Sequence, residues 1–486
     1  MSLHPSYRYP SGAPRGAVAL VFALMLFILL GFIAMALDLG CLYNRQAELR
    51  AVANTAALAA ARQLNGSAAG VVNALAQAAS AVAGARYQYR QQTISWSGAA
   101  LSFSSASDGV WVDAASAQAA PEALFFVRVD TGALASDPGT VDGLFMRVLS
   151  AALASASVRA VAVAGRSTID VAPLALCALS ATPATARANP GPPANTELVE
   201  YGFRRGVAYD LMQLNPDGTT AENFVVDPFT PPGATGAAGN TAVSLVGPYV
   251  CTGQLAMPRV TGGALTVARP FPLASLYNQL NARFDQYSGA LCSFVTAPPD
   301  TNIKSYVYSS AAPWMTVTPA AQGAQSSTSG GKLWTVADPL PAPTGNTAAM
   351  YGPLWAYARA VPYSSYVAGA AEPSAGYTPF ATGDWATLYA PGLPVAKTTY
   401  PSGTLTPYKT SSGSFFLAPS SAHKGVAGRR VLNVPLLACP VSGGSATVLA
   451  VGKFLMTVPA TASALYAEFG GVAAPATLGG GVELYR

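Results

Sequence analysis

The chain has 486 residues, of which 10% are charged and 51% are hydrophobic, and its formal net charge is +5. Charged residues make up about 25% of a typical soluble domain, so this composition argues against a cytosolic enzyme and favours an exported, β-rich protein. The small positive charge forms no dense basic run, which argues against a nucleic-acid-binding protein.

An uncharged, mostly apolar run covers residues 16–37, between Arg15 and Asp38. About 20 apolar residues in a helix span the hydrocarbon core of a bilayer, and a run of this length without charge is typical of a transmembrane helix. The run therefore predicts a single membrane-spanning helix. The residues assigned to this membrane anchor are Gly16, Phe22, Leu26, Leu30 and Leu37.

The orientation follows from the basic residues before the run. Arg8 and Arg15 precede it, and Lys or Arg near a transmembrane end favours the cytoplasmic side. Residues 1–15 are therefore predicted to be a cytoplasmic tail, and the bulk of the chain to lie outside a bacterial inner membrane, in the periplasm. Two alternatives stay open. Ala34 and Ala36 form the A-x-A pattern of a signal-peptide cleavage site, and the run could also be a buried helix of a soluble core.

The predicted helix continues beyond the membrane as an amphipathic segment that ends near Asn65. Leu and Ala recur along one side at spacings of three, four and seven residues, and Asn, Arg and Glu supply the polar side. Small residues allow close approach to another helix or to a sheet. The predicted helix-packing seam consists of Leu42, Leu49, Ala53, Ala56 and Ala60.

Five short strings in this region together resemble the N-terminus of the TadG/TadE-like proteins of Tad (Flp) pilus systems. They lie at residues 15–19, 22–24 (Phe-Ala-Leu), 29–31, 36–40 (Ala-Leu-Asp-Leu-Gly) and 56–61 (Ala-Ala-Leu-Ala-Ala-Ala). The resemblance implies an inner-membrane-anchored, periplasm-facing protein of a pilus assembly machine, or a minor pilin-like subunit.

The sequence departs from that family at two points. A peptidase cut after Gly16 would put Val21 at the position where pilins carry Glu, which argues against a standard pilin subunit. Long TadG-like proteins often carry an Asp-x-Ser-x-Ser metal triad, and the nearest string here, at residues 129–132, lacks the hydroxyl groups that the triad requires. No metal site is therefore predicted.

Residues 38–182 are predicted to form the long helix plus a pilin-like α/β module. Asp142 is predicted to cap a helix that runs to Leu153. The predicted strands of this module are residues 101–103, 110–112, 123–129 and 157–164.

Pro and Gly cluster in residues 183–196, which predicts a linker. Residues 197–486 then read as a large β-rich exported domain. The elements predicted in it are strands at residues 225–226, 243–246, 265–267, 306–308 and 448–451, a helix over residues 273–287 and a mobile loop over residues 323–331.

Five cysteines are present, and four of them fall in the part predicted to lie outside the membrane, where two disulfides suit an oxidising compartment. Cys41 lies beside the membrane. An internal similarity, in which Gly-Arg is followed by an apolar run that ends in Cys, pairs Cys177 with Cys439. Cys251 and Cys292 pair by proximity in sequence. Four cysteines allow three pairings, and free buried thiols are the alternative.

No catalytic, cofactor or metal site is predicted. His423 is one of two histidines and lies in a Ser-Ala-His-Lys loop, with no Gly-x-Ser-x-Gly nucleophile motif in the chain. The acids that a hydrolase could use, which the sequence alone cannot pair, are Asp210, Asp227, Asp285 and Asp384. The residues that could line a sugar-binding surface, but more often form a β-core, are Trp314, Trp334, Trp355 and Trp385.

The fold class predicted is α+β: one N-terminal transmembrane helix that continues into a pilin-like α/β module, followed by a large β-rich exported domain. The function predicted is a structural and assembly component of a Tad-type pilus that acts by helix packing and protein–protein contacts, without catalysis or a cofactor. The predicted partners are the membrane and other pilus assembly or pilin-like proteins, with a surface glycan as a further candidate and no nucleic acid. The alternative is an anchored, exported polysaccharide-binding protein or hydrolase.

Overall fold

A computed structural model shows a long apolar N-terminal helix followed by a large β-rich remainder, which confirms the predicted fold class. The chain divides into two compact units: unit 1 is Met1–Gly165 with Glu483–Arg486, and unit 2 is Arg166–Val482. The residues that the structure describes are 15–87, 91–121, 124–135, 137–143, 145, 147, 150–189, 194–230, 239–308, 314–315, 319–338, 348–370, 372–373, 375–389, 399–474 and 477–485.

The apolar run and the amphipathic segment of unit 1 form one continuous helix, because neither contains a proline. The next helix begins after Ser67, whose hydroxyl accepts a hydrogen bond from the Gly70 N–H and so caps the helix N-terminus. The described helices of unit 1 are α1 (Arg15–Ala61), α2 (Ala68–Val82) and α3 (Ala114–Ala119).

The main sheet of unit 1 has the strand order β20-β7-β4-β3, and two hairpins, β1–β2 and β5–β6, stand apart from it. Alternate side chains of β4 are buried, as expected of a strand with one face on a core, and α1 contacts this strand. The strands are β1 (Arg86–Tyr87), β2 (Gln92–Thr93), β3 (Leu101–Ser104), β4 (Phe126–Asp130), β5 (Thr140–Asp142), β6 (Ser155–Ser157), β7 (Val161–Arg166) and β20 (Val482–Tyr485).

Three of the four strands predicted in unit 1 overlap β3, β4 and β7. The fourth, at residues 110–112, makes a single bridge between Val112 and Phe103. Asp142, predicted to cap a helix that runs to Leu153, ends β5 and pairs with Ser155, and Arg147 within the predicted range is helical. Residues 144, 146, 148 and 149 of that prediction lie outside the described residues, and Ala151–Leu153 is a short 3-10 helix.

Unit 2 is built on a seven-stranded sheet with the order β12-β19-β18-β14-β13-β8-β17. Its helices are α4 (Val243–Thr252), α5 (Leu273–Asn281) and α6 (Trp385–Leu388). Its strands are β8 (Leu174–Cys177), β9 (Ala184–Asn189), β10 (Asn195–Glu200), β11 (Phe203–Arg204), β12 (Ala208–Asp210), β13 (Asn223–Val226), β14 (Ala264–Ala268), β15 (Ser326–Ser329), β16 (Lys332–Thr335), β17 (Val431–Leu437), β18 (Ser445–Met456) and β19 (Tyr466–Val472).

Five strands of this sheet close on themselves, because β17 pairs both with β8 and with β18. The β8–β17 pair is parallel, and the other pairs around the ring are antiparallel. Both faces are buried: Ala175 and Phe224 belong to one apolar cluster, whereas Leu176 and Val225 belong to the other. A sheet buried on both faces gives continuous apolar runs rather than alternating ones.

Strands occupy most of the segment predicted as a linker, and this corrects that boundary. β9 and β10 pair antiparallel, from Asn195 opposite Asn189 to Glu200 opposite Ala184. The polar residues of β9 are used inside the fold, since the Asn189 side chain donates to Glu197. Residues 190–193, which hold much of the Pro and Gly, lie outside the described residues.

Three further local predictions for unit 2 are wrong. Residues 243–246 were expected as a strand but open helix α4, because Val246 and Val250, four residues apart, share a buried face. The expected mobile loop is the β15–β16 hairpin, whose turn uses Gly330 and Gly331 at φ +57° and +77°. Residues 306–308 form no strand, although Tyr306 is buried.

Candidate functional site

Four of the five predicted anchor residues lie on an apolar surface that the protein leaves uncovered. The helix over Val18–Ala61 is long enough and apolar enough to cross a membrane. Phe22 is 67% exposed and Leu30 54%, and Leu26 and Leu37 are exposed as well. Gly16 lies in the first turn of α1. Large apolar side chains exposed around a whole helix are typical of a segment that faces lipid.

The burial of α1 changes abruptly at Asp38, the first charged residue after the run. Its side chain is only 8% exposed, and its carboxylate accepts hydrogen bonds from the Phe145 N–H at 3.2 and 3.4 Å. A carboxylate costs free energy to bury unless it is hydrogen-bonded, so this contact fixes the helix against the rest of unit 1 where the apolar surface ends.

Arg45, two turns further on, makes a second contact of this kind. Its guanidinium donates to the Pro138 carbonyl oxygen at 2.6 Å and lies over the Tyr87 ring at 4.4 Å. It also faces Glu48 at 3.6 Å. Asp38 and Arg45 together hold the extramembrane half of α1 to the β5–β6 region, and we call this pair of contacts the membrane-proximal clamp.

The predicted packing seam is used within the chain. Leu49, Ala53, Ala56 and Ala60 have no exposed surface, and Leu42, nearest the membrane, is half-buried. This part of α1 packs against α2 and β4 of the same unit. Small residues here let α2 approach closely, and Ala74 and Ala78 on the facing side of α2 are equally buried. The seam is therefore occupied and does not present a free surface to another protein.

Two disulfides lie in unit 2: Cys177–Cys439 and Cys251–Cys292, the two pairs expected from the sequence. The first joins the end of β8 to the residues just after β17, where Leu437 pairs with Cys177. The second ties the last turn of α4 to the segment after α5. Cys41 is a free thiol. Glu222 lies near the first disulfide, but sulfurs that bond to each other are not the thiolates that a metal ion requires.

The acids that a hydrolase could have used are engaged in local structure. Asp210 accepts from the Met212 and Leu465 N–H groups. Asp227 binds Thr230 and Asn240.

Asp384 accepts from the Ala381 N–H. His423 is not isolated as the sequence suggested: its Nδ1 lies 2.5 Å from Asp285 and its ring stacks on Phe294 at 4.0 Å. No described contact brings two of the four acids together.

The tryptophans form core rather than a binding surface. Trp314, Trp355 and Trp385 have no exposed area, and the Trp355 indole donates to the Tyr389 hydroxyl at 2.8 Å. Trp334 lies on strand β16 and is half-buried. Three of the four residues that could have suggested a sugar-binding surface are therefore inaccessible.

Two buried carboxyl groups of unit 2 have raised pKa values. Burial raises the pKa of Glu468 to about 7, against the opposing effect of three N–H donors at residues 356–358. Burial also raises the pKa of Asp338 to about 6, opposed by the Thr335 N–H and hydroxyl. Both groups hold a proton in the folded chain at a pH where they would lose it on unfolding.

We expect unit 2 to lose stability as the pH rises from 5 to 7.5. In this window the folded state binds more protons than the unfolded state, so the free energy of unfolding falls with increasing pH, by at most about 3 kcal/mol for Glu468. Thermal unfolding in detergent, followed by tryptophan fluorescence, measures it. Asp338→Asn should flatten part of the slope. A midpoint that rises over this range would contradict the assignment.

Comparison with known protein families finds a match for one region of the chain. Residues 16–63 match a family model described as "Putative Flp pilus-assembly TadE/G-like". The match covers the anchor and the packing seam, and it includes both residues of the membrane-proximal clamp. No curated protein and no solved structure matches the chain. The resemblance seen in the sequence is therefore confirmed over the N-terminal helix.

Proposed function

We propose that this chain, which is TadE/G-like over its N-terminal helix, is a membrane-anchored structural component of a Tad pilus assembly system. The observation that carries the proposal is that the TadE/G-like match begins with the uncovered apolar surface of α1. Residues 16–37 would span the bacterial inner membrane once, with the N-terminus in the cytoplasm and the rest of unit 1, together with unit 2, in the periplasm. Two disulfides in unit 2 suit that oxidising compartment.

The burial of α1 supports a proposal about which of its surfaces contact partners. The seam of α1 is buried against α2 and β4, so contacts with other transmembrane helices must use the exposed anchor residues such as Phe22 and Leu30. The membrane-proximal clamp holds α1 to the β5–β6 region of unit 1, and movement of a partner helix in the membrane would therefore act on that region directly. In this proposal the protein works by helix packing and protein contacts, without turnover.

Photo-crosslinking in cells tests the anchor contacts. A photoreactive amino acid at Phe22 or Leu30 should crosslink to other pilus assembly or pilin-like membrane proteins, because these side chains are exposed. The same group at Ala53 should give no intermolecular product, since that position is buried within unit 1. Mass spectrometry of the products identifies the partners. Equal crosslinking from Ala53 would mean that the seam opens to partners, and products that contain no pilus component would count against the proposal.

The N-terminus of the mature protein, determined together with its membrane fraction, separates three cases. We expect an intact N-terminus in the inner membrane. A cut after Gly16 would mean pilin-like processing despite Val21. A cut after Ala36 would remove the anchor, and the chain would then be a secreted protein rather than an anchored one.

A further inference from the structure

A polar pocket of about 300 Å³ opens on unit 2, between the end of α4, the 3-10 turn after α5 and the segment that leads into β17. It lies within unit 2 and shares no residue with the anchor or the seam. Its side chains include two arginines, one carboxylate and two amides. The residues used in the argument are Asp170, Gln254, Arg283, Arg429, Asn433 and Thr477.

Arg283 carries a buried charge that makes no ion pair with a carboxylate of the described residues, although the buried Asp300 acts on it from a greater distance. Its side chain is 1% exposed, its Nε has no hydrogen-bond partner among them, and its Nη1 reaches only the Gln279 carbonyl oxygen, at 3.5 Å. Burial pushes its pKa well below the usual value, Arg429 adds to the shift, and the carboxylate of Asp300 opposes the shift without cancelling it. A buried guanidinium normally binds an anion at hydrogen-bond distance, and the described residues give Arg283 only the charge of Asp300 without such a bond.

Arg429 points to the same place but is already held in position. It donates to the carbonyl oxygens of Cys251 and Thr252 at the C-terminus of α4, and to that of Pro298. A Cβ placed on Gly253 would lie 2.8 Å from Nη2 of Arg283 and 3.8 Å from Nη1 of Arg429. The two guanidinium groups therefore converge beside the backbone of Gly253, where a side chain would occupy the space between them.

The opposite side of the pocket offers hydrogen-bond acceptors. Gln254 donates its amide to Asp170 Oδ1 at 2.8 Å, and Asn433 donates to the Asp170 carbonyl oxygen at 2.6 Å. Three acceptors remain: the side-chain oxygens of Gln254 and Asn433, and Oδ2 of Asp170. The described part of the chain shows no hydrogen-bond donor for them. Hydroxyl groups of a ligand supply donors of the right kind.

We propose that this pocket binds an acidic sugar, with its carboxylate on Arg283 and Arg429 and its hydroxyls on Asp170, Gln254 and Asn433. A planar carboxylate matches the fork of a guanidinium. The side chains that line the pocket carry two positive charges and one negative charge. Asp300, which acts on both arginines, and Arg166, which acts on Asp170, add one charge of each sign, so a monoanion neutralises the group, whereas a phosphate dianion would be repelled by Asp170.

A chain-terminal peptide carboxylate would offer mainly backbone N–H donors in place of several hydroxyl groups on one ring, which fits a wall of acceptors less well. The volume lies at the lower end of the range for small-molecule sites and suits about one sugar residue. The inference stands apart from the pilus role of the anchor, because it uses residues of unit 2 alone.

Calorimetric titration of the full chain in detergent tests the proposal, with glucuronate and glucose as matched probes. Glucuronate should bind at least about tenfold more tightly, because only it brings the carboxylate to the two arginines. Arg283→Gln should reduce glucuronate affinity by at least about tenfold. The Asp170→Asn variant should bind sulfate, whereas the unaltered protein should not.

Because Arg283 is buried, its replacement can lower the affinity by disturbing the fold. A second variant at the exposed rim of the pocket therefore tests binding separately from folding. Thr477 is exposed at the mouth of the pocket, so Thr477→Trp should block binding while the thermal midpoint stays unchanged. Thr404→Trp, at an exposed threonine outside the pocket, should bind normally. Equal binding of glucose and glucuronate would overturn the proposal, as would tighter binding of an acetylated peptide with a free C-terminal carboxylate, or no binding of any probe.

Discussion

Replacing Glu197 by Gln should lower the free energy of unfolding of unit 2 by about 3–5 kcal/mol. Glu197 and Arg204 are both fully buried, and the shortest of their contacts is 2.7 Å. Arg204 also donates to the Tyr351 hydroxyl and the Leu388 carbonyl oxygen. Loss of the carboxylate leaves this guanidinium, with Arg187 nearby, in a low-dielectric core without a counter-charge.

Denaturant unfolding of the full chain in detergent measures this loss through the three fully buried tryptophans of unit 2. Glu222→Gln is the matched control: it removes a carboxylate 3.1 Å from Arg269, whose side chain is 46% exposed, and should cost less than about 1 kcal/mol. Equal losses from the two variants would show that burial does not decide the strength of these pairs. Glu197→Leu combined with Arg204→Met should recover part of the stability, because no charge is then stranded.

The anchor and its continuation could be predicted because their signal is local. The length of residues 16–37 and their lack of charge predict a membrane helix. The spacing of Leu49, Ala53, Ala56 and Ala60 predicts that one side of its continuation is buried. What the seam packs against could not be read from the same pattern. A helix face of small residues fits a partner protein, a sheet or a second helix of the same chain, and α2 is made of similar small residues.

Unit 2 was less predictable because its organisation depends on distant pairs. β8 and β17 are neighbours although more than 250 residues separate Cys177 from Cys439, and only the repeated Gly-Arg-to-Cys pattern hinted at it. The pocket had no sequence signal, since Asp170, Arg283 and Arg429 come from three separate segments. The strand predicted at residues 243–246 is helical in the structure, since a short apolar run does not distinguish a strand from a buried helix.

The disulfides should contribute unequally, and this is the second large effect. Cys177 and Cys439 are 262 residues apart, whereas Cys251 and Cys292 are 41 apart. In the chain-entropy model a longer closed loop restricts the unfolded chain more, so removal of the first bond should cost about 5 kcal/mol and removal of the second about 4. The first bond also joins the ends of β8 and β17, the parallel pair that closes the ring of strands. Its loss therefore removes the covalent link that holds this pair together.

Paired replacements to alanine test this ranking, since a single replacement would leave a reactive thiol. The Cys177→Ala, Cys439→Ala chain should unfold at lower denaturant concentration than the Cys251→Ala, Cys292→Ala chain. Reduction of the unaltered protein should approach the sum of the two losses. A larger loss from the shorter loop would mean that native contacts around α4, where Arg429 holds the Cys251 carbonyl oxygen at 2.7 Å, outweigh the entropy of the unfolded chain. In that case the pocket beside Gly253 should lose its ligand affinity together with the bond.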